Sequence, residues 1–160
     1  MPPSSTLAPE FYRWLLNSPW ASFLNNHEWA FPVVQSLHFI GFALLIGTIV
    51  IVDMQLLGLL VLRQTPAELA ADLAPWTALG IAVMLTTGPL MFSADAPNYY
   101  FNPALRFKMV CLIVALLFHF TLHQRAVRPD VPPMAAKLAA ATSLLLWITV
   151  VGGGRMIAFI

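Results

Sequence analysis

The stretch 30–52 contains no Asp, Glu, Lys or Arg, and this run constrains the fold more than any other feature of the chain. A helix crosses the hydrocarbon core of a bilayer with about 20 predominantly apolar residues, so the stretch is long enough for one span. The apolar pattern continues past Asp53 to Leu62, which predicts a long or tilted first helix over about 30–62.

Three further apolar stretches follow, at about 73–92, 104–125 and 135–160. The segments between them are polar or rich in turn residues, and three prolines within 126–133 prevent a helix from continuing there. The sequence therefore predicts an all-α fold, an integral membrane four-helix bundle formed by residues 30–160.

The composition supports a membrane location and points to no soluble activity. Hydrophobic residues make up 59% of the chain and charged residues 9%, whereas soluble domains carry about 25% charged residues. The net charge of +1 gives no reason to expect nucleic acid as a partner. The sequence contains no glycine-rich phosphate loop, no CxxC and no HExxH motif, so no enzyme class can be assigned from motifs.

Residues 1–29 are rich in aromatic side chains and poor in charge. This composition is typical of the headgroup layer and predicts a short N-terminal interfacial helix, with an irregular tail packed over the bundle mouth as the alternative. The segment lacks the basic start and long apolar run of a cleavable signal peptide. The loops after the first and third spans hold most of the loop cations, which predicts termini on the periplasmic side.

Ionisable side chains within spans are costly and are the natural candidates for a functional site. His38, Lys108 and Arg155 are predicted to lie at nearly the same depth, toward the side of the termini. Two cations at one level repel each other unless an anion lies between them. Glu28 or Asp95 from the adjacent loops could supply that charge, and so could a ligand carboxylate, a phosphate or a lipid headgroup. Alternatively, the cations could simply reach the headgroups.

A second set of polar residues is predicted near the opposite face, where Asp53, His119 and His123 lie. His119 and His123 are four residues apart and so share one face of a helix. Such a pair can bind a metal, and His38, His119 and His123 are the candidate metal ligands. The alternative is that His123 lies at the interface and His119 bonds to a neighbouring helix.

Histidines in a membrane bundle also raise the possibility of haem b, and the candidate cofactor-binding residues are His38, Lys108, Arg155 and His119. His38 and His119 are predicted to differ in depth by about 13 Å, which disfavours one haem bridging both. A five-coordinate haem, a His–Met pair with Met91 or Met156, or two separate sites remain open.

Three segments resemble those of a family of small uncharacterised bacterial four-helix membrane proteins: FPVVQSLHFIGFALLIGTIVIVDMQLLG, FNPALRFKMV and LLLWITVVGGGRMIAFI. The chain also looks distantly like membrane proteins of the copper-resistance D type. The resemblance covers roughly residues 28–160 and includes His38, Asp53, Lys108 and Arg155. It implies a multi-pass protein of the bacterial inner membrane and little about activity.

Three hypotheses for function follow. The first is a redox-associated membrane protein that binds haem b or a quinone near His38, Lys108 and Arg155. The second is a non-enzymatic structural subunit that packs in the lipid bilayer as a homo-oligomer or within a larger membrane complex. The third is a small metal-handling transporter that uses Asp53, His119 and His123.

Overall fold

The computed structural model describes residues 10–156, without the side chains of residues 97 and 98. Its helices are α1 (Glu10–Leu16), α2 (Pro19–Asn26), α3 (Ala30–Leu57), α4 (Pro66–Ala94), α5 (Ala96–Phe101), α6 (Pro103–Ala126) and α7 (Pro133–Met156). No strand occurs in this part of the chain, and α3, α4, α6 and α7 are long and apolar enough to cross a membrane. The predicted all-α membrane bundle is confirmed.

The first long helix ends earlier than the apolar pattern predicts. Gly58 adopts a left-handed conformation with φ of 79° and closes α3 at Leu57, so residues 58–62 lie outside the helix. Glycine takes this conformation without steric cost and often terminates helices in this way. Hydropathy alone could not locate this boundary because the residues beyond it remain apolar.

The second long helix begins earlier than the predicted span. Thr65 caps it in a capping box with Glu68, whose side chain accepts from the backbone N–H of Thr65 at 2.8 Å. Pro66 then occupies the first turn, where its missing N–H is not needed. Consequently α4 runs from Pro66 to Ala94 and contains both Pro75 and Pro89 within it.

The four long helices pack as an open array rather than as a closed bundle. α3 packs on both α4 and α7, and α7 packs on α6. Across the described residues, α4 and α6 form no packed interface, which leaves a lateral gap between them. The α3–α4 contact is the closest, since a Cβ on Gly80 would lie 2.8 Å from the backbone nitrogen of Leu45.

The N-terminal segment forms two short helices where the sequence predicted one. Ser18 separates them and caps α2 by accepting from the N–H of Ala21. α2 packs on α3 and α4, and its Ala21 and Leu24 are buried. The large aromatic side chains of Trp14 and Trp20 are exposed on the outside, as expected for a headgroup layer.

Large apolar side chains are exposed along all four long helices, including Phe39, Leu85, Leu117 and Ile148. A soluble monomer rarely exposes so much contiguous apolar surface. Lipid accounts for it, because apolar side chains carry no penalty against hydrocarbon tails. The chain is a multi-pass membrane protein.

Candidate functional site

The most deeply buried polar contact in the described chain joins α3 to α6. His123 Nε2 donates to Asp53 Oδ1 at 2.7 Å, and the two side chains are 3% and 0% exposed. The second carboxylate oxygen, Oδ2, is also buried and accepts no hydrogen bond from the residues that the structure describes. A buried carboxylate with one partner is costly in a membrane interior, and such groups are typically functional.

His119 extends this pair into a row of three ionisable side chains. Its ring stacks on that of His123, with ring centroids 5.1 Å apart and planes at 26°. His119 is buried, and its Nδ1 has no hydrogen-bond partner among the described residues. We call Asp53, His123 and His119 the acid–imidazole cluster.

A change in helix geometry creates this arrangement. The segment His119–His123 is a π-helical turn within α6, and the N–H of Gln124 bonds to the carbonyl of His119 five residues earlier. Isolated π-turns of this kind are rare and occur often at functional sites. The wider turn begins at one histidine and ends at the other, so both rings project together toward α3.

The acid–imidazole cluster borders a cavity of about 460 Å³. The cavity occupies the lateral gap between α4 and α6, with Thr48 and Ile49 of α3 at its floor. Its walls are mainly apolar, and the exposed side chains of Leu85 and Phe120 stand at its edge. The cavity therefore opens on the exposed apolar surface of the long helices.

Two threonines provide the other polar atoms of the cavity wall. Thr77 donates to Thr48 at 2.8 Å, and Thr48 donates to the carbonyl of Leu45 at 2.9 Å. The Thr48 oxygen is thereby satisfied, while Thr77 keeps a lone pair that can accept from a ligand. Sequence reasoning missed both threonines, because isolated threonines in an apolar span carry no recognisable pattern.

Ser143 of α7 is a further buried polar group that the sequence did not reveal. It is 1% exposed, and its hydroxyl has no hydrogen-bond partner in the described part of the chain. It lies in sequence between Ala140, which belongs to the same apolar cluster as Val52, and Trp147, which belongs to the same apolar cluster as Ile49. This position is the level of the acid–imidazole cluster, so several polar atoms without partners are concentrated in one layer.

His38 lies at the other end of the array and is held by α4. Its Nδ1 and the hydroxyl oxygen of Thr87 are 2.7 Å apart, and Thr87 donates its own proton to the carbonyl of Val83 at 2.6 Å. When Thr87 donates to Val83, the Nδ1 of His38 is the donor to the Thr87 oxygen. In the neutral ring, Nε2 then carries the lone pair.

The structure brings two of the three predicted depth-matched residues together. Lys108 is half-buried and lies close enough to His38 for an electrostatic interaction. Its side chain rests on Gly153 and Gly154 of α7. Arg155 follows directly but its side chain is exposed.

The three predicted metal ligands do not come together. His38 and Asp53 are separated by fifteen positions of α3, which corresponds to about 22 Å of helix, and His119 and His123 lie at the Asp53 end. Within residues 10–156, no group of three or more His, Cys, Asp or Glu residues is arranged to hold a metal ion. His38 and His119 are likewise too far apart along the helices to bind one haem iron.

Comparison with known proteins gives one match. A family model described as a family of unknown function, DUF6644, matches residues 28–160. The chain belongs to this family. The DUF6644 region begins just before α3 and contains all four long helices, His38 and the acid–imidazole cluster. No curated protein and no solved structure matches the chain. The predicted membership of an uncharacterised family is thus confirmed, whereas a similarity to copper-resistance D proteins is not shown.

Proposed function

We propose that the chain binds a membrane-dissolved quinone in a redox role, at the cavity beside the acid–imidazole cluster. The observation that carries the proposal is that the outermost member of a buried Asp–His–His row, His119, borders an apolar cavity open to lipid. The proposal moves the site from the His38 end, where the sequence located it, to the Asp53 end.

The chemistry of a quinone matches this cavity. A quinone has a flat ring, two carbonyl oxygens that accept hydrogen bonds, and an apolar tail that stays in the membrane. The His119 side chain borders the cavity and can hydrogen-bond to a carbonyl oxygen, and Thr77 supplies a further polar contact. Sites for small molecules are typically apolar with a few such polar groups.

The row of ionisable groups would also serve proton exchange. Reduction of a quinone to a quinol adds two electrons and two protons to the ring oxygens. His119 can donate to one oxygen, and the neighbouring His123 and Asp53 can resupply or accept protons over short distances. The electrons would come from a redox partner protein that carries a one-electron centre.

A binding experiment tests the proposal. The protein in nanodiscs is titrated with decylubiquinone and, to test for naphthoquinone specificity, with menadione. The carbonyl stretching bands of a ¹³C-labelled quinone are then recorded by difference infrared spectroscopy. We expect saturable binding and a shifted carbonyl band. His119→Phe should weaken binding roughly tenfold, the effect of one buried hydrogen bond, while His38→Ala should leave it unchanged. Binding that is unaffected by His119→Phe, or no saturable binding of either quinone, would contradict the proposal.

A second candidate function, haem b binding at His38, is favoured by one specific observation. Because Nδ1 of His38 donates to Thr87, its Nε2 lone pair is available to an iron, and such a second hydrogen bond is usual for ligating histidines. Purified protein should then show a Soret band that is lost in His38→Ala and kept in His119→Ala. A spectrum without a Soret band after expression with added haem would refute this candidate.

The membrane location proposed for the chain is the bacterial inner membrane, with both termini in the periplasm. The support is the excess of Arg and Lys in the loops after the first and third spans, since such loops tend to stay in the cytoplasm. A reporter active only in the periplasm, fused to the C-terminus, should be active. The same reporter inserted in the loop after Gly58 should be inactive, and the reverse pattern would overturn the orientation.

A further inference from the structure

Lys108 occupies an unusual position for a lysine in a membrane helix. A lysine near a helix end commonly extends along the lipid-facing surface to the headgroups. Lys108 instead lies between helices, on a floor made by Gly153 and Gly154. A Cβ on Gly154 would be 3.3 Å from Lys108 Nζ, and a Cβ on Gly153 would be 3.4 Å from Lys108 Cβ.

The ammonium group of Lys108 has no anionic partner in the described chain. Neither a carboxylate nor a hydrogen-bond acceptor among residues 10–156 pairs with it. The nearest ionisable side chain on α3 is His38, which is itself neutral or cationic. On α7, the next charged residue is another cation, Arg155. An unpaired ammonium group in this environment is costly, so a counter-ion is expected from outside the described residues.

We propose that Lys108 forms an oxyanion-binding site at the end of the bundle nearer the termini, with the phosphate of an anionic phospholipid as its ligand. Lys108 is the sixth residue of α6, so it lies about 8 Å along the helix from Pro103. Its side chain is long enough to bring the ammonium group toward the phosphate layer. Arg155, exposed one position beyond Gly154, is a second cation at the same end of the helices.

A carboxylate of a bound cofactor would satisfy the same chemistry, and haem propionates are one example. The proposal does not depend on quinone binding, which concerns the opposite end of α3. Quinone binding can therefore fail while the oxyanion site is supported, and the converse also holds.

Native mass spectrometry of the purified protein tests the site with matched variants. The protein is exchanged into detergent with dioleoyl phosphatidylglycerol or dioleoyl phosphatidylcholine, and the bound lipid is counted. We expect one phosphatidylglycerol retained in preference to phosphatidylcholine. Lys108→Met should weaken that binding at least tenfold, whereas Lys137→Met, which changes an exposed lysine at the start of α7, should not.

A pair of glycine variants keeps the test decisive if Lys108→Met fails to fold. Gly154→Ala places a methyl group against the ammonium position and should weaken phosphatidylglycerol binding several-fold. Gly152→Ala meets nothing within 4 Å and should have no effect. A second outcome is that phosphatidylglycerol is absent while a cofactor with a carboxylate group is extracted from the parent protein. In that case, absence of the cofactor from Lys108→Met and Gly154→Ala supports a carboxylate as the ligand of Lys108. The proposal is overturned if no anion is retained, or if Lys108→Met and Gly154→Ala bind anions as their controls do.

Discussion

Replacing His123 by Leu should destabilise the fold far more than replacing Asp53 by Asn, although both changes alter the same contact. In His123→Leu, the Asp53 carboxylate stays fully buried and loses its one hydrogen-bond partner within residues 10–156, since Oδ2 has none there. Stranding a buried charge in this way costs about 3–5 kcal/mol. In Asp53→Asn, the amide oxygen can still accept from His123 Nε2, so the loss should be about 1–2 kcal/mol.

The double variant Asp53→Asn/His123→Leu separates this reasoning from simple loss of packing. The double variant has no buried carboxylate without a partner. The loss in its free energy of unfolding should therefore be about 2 kcal/mol less than the sum of the losses in the two single variants, a coupling expected for residues in direct contact. The free energies of unfolding are measured by reversible denaturation in mixed micelles of mild detergent and sodium dodecyl sulfate, followed by far-UV circular dichroism.

Thr149→Ala provides the control, because Thr149 is an exposed threonine of α7 whose hydroxyl bonds only to its own helix. Its effect should stay within about 0.5 kcal/mol. Equal destabilisation by His123→Leu and Asp53→Asn, or strict additivity in the double variant, would show that the Asp53 side chain is not a buried charge stabilised by His123.

Three further predictions concern other parts of the molecule. Gly80→Leu should strongly destabilise the α3–α4 contact, because even a Cβ at this position would lie 2.8 Å from the backbone of α3. Gly47→Leu should be tolerated, because a Cβ there has nothing within 4 Å. Thermal unfolding of the two variants checks the difference. Burial and the carboxylate of Asp95 raise the pKa of Tyr99 above its usual 10.0, so ultraviolet titration should give a lower pKa for Tyr99 in Asp95→Asn than in the parent, and an unchanged pKa would refute that electrostatic effect. Ala78→Phe, which narrows the cavity, should weaken quinone binding with little change in stability, and undiminished binding would locate the quinone elsewhere.

The sequence could predict the four spans because the requirement for uncharged residues in hydrocarbon is strict and local. The helix ends were harder to predict. Gly58 ends α3 within a run that is still apolar, and Thr65 starts α4 well before the most hydrophobic residues. In both places the boundary is set by backbone chemistry at one or two residues, which hydropathy averages over a window do not register.

The two polar ends of the bundle were also predictable from depth, because the rise per residue of a helix is constant. The contacts between side chains at each end were not predictable from depth, because they depend on how each helix is rotated about its axis. His38 contacts Thr87, a residue without charge, and Asp53 contacts His123 across two helices that are far apart in sequence. Packing of small residues, such as Gly80 on α3, sets these rotations.

The π-helical turn is the feature that sequence reasoning was least able to supply, and the candidate site depends on it. In a regular α-helix, residues four apart are offset by about 40° around the axis, and the segment after His123 would keep the register set before His119. The π-turn shifts that register by one residue, so α6 can present both histidines to α3 while its remaining length still packs on α7. The five residues HFTLH contain no proline or glycine to mark the change. A locally unfavourable turn is retained where surrounding contacts stabilise it, and here those contacts are the histidine stack and the Asp53 carboxylate.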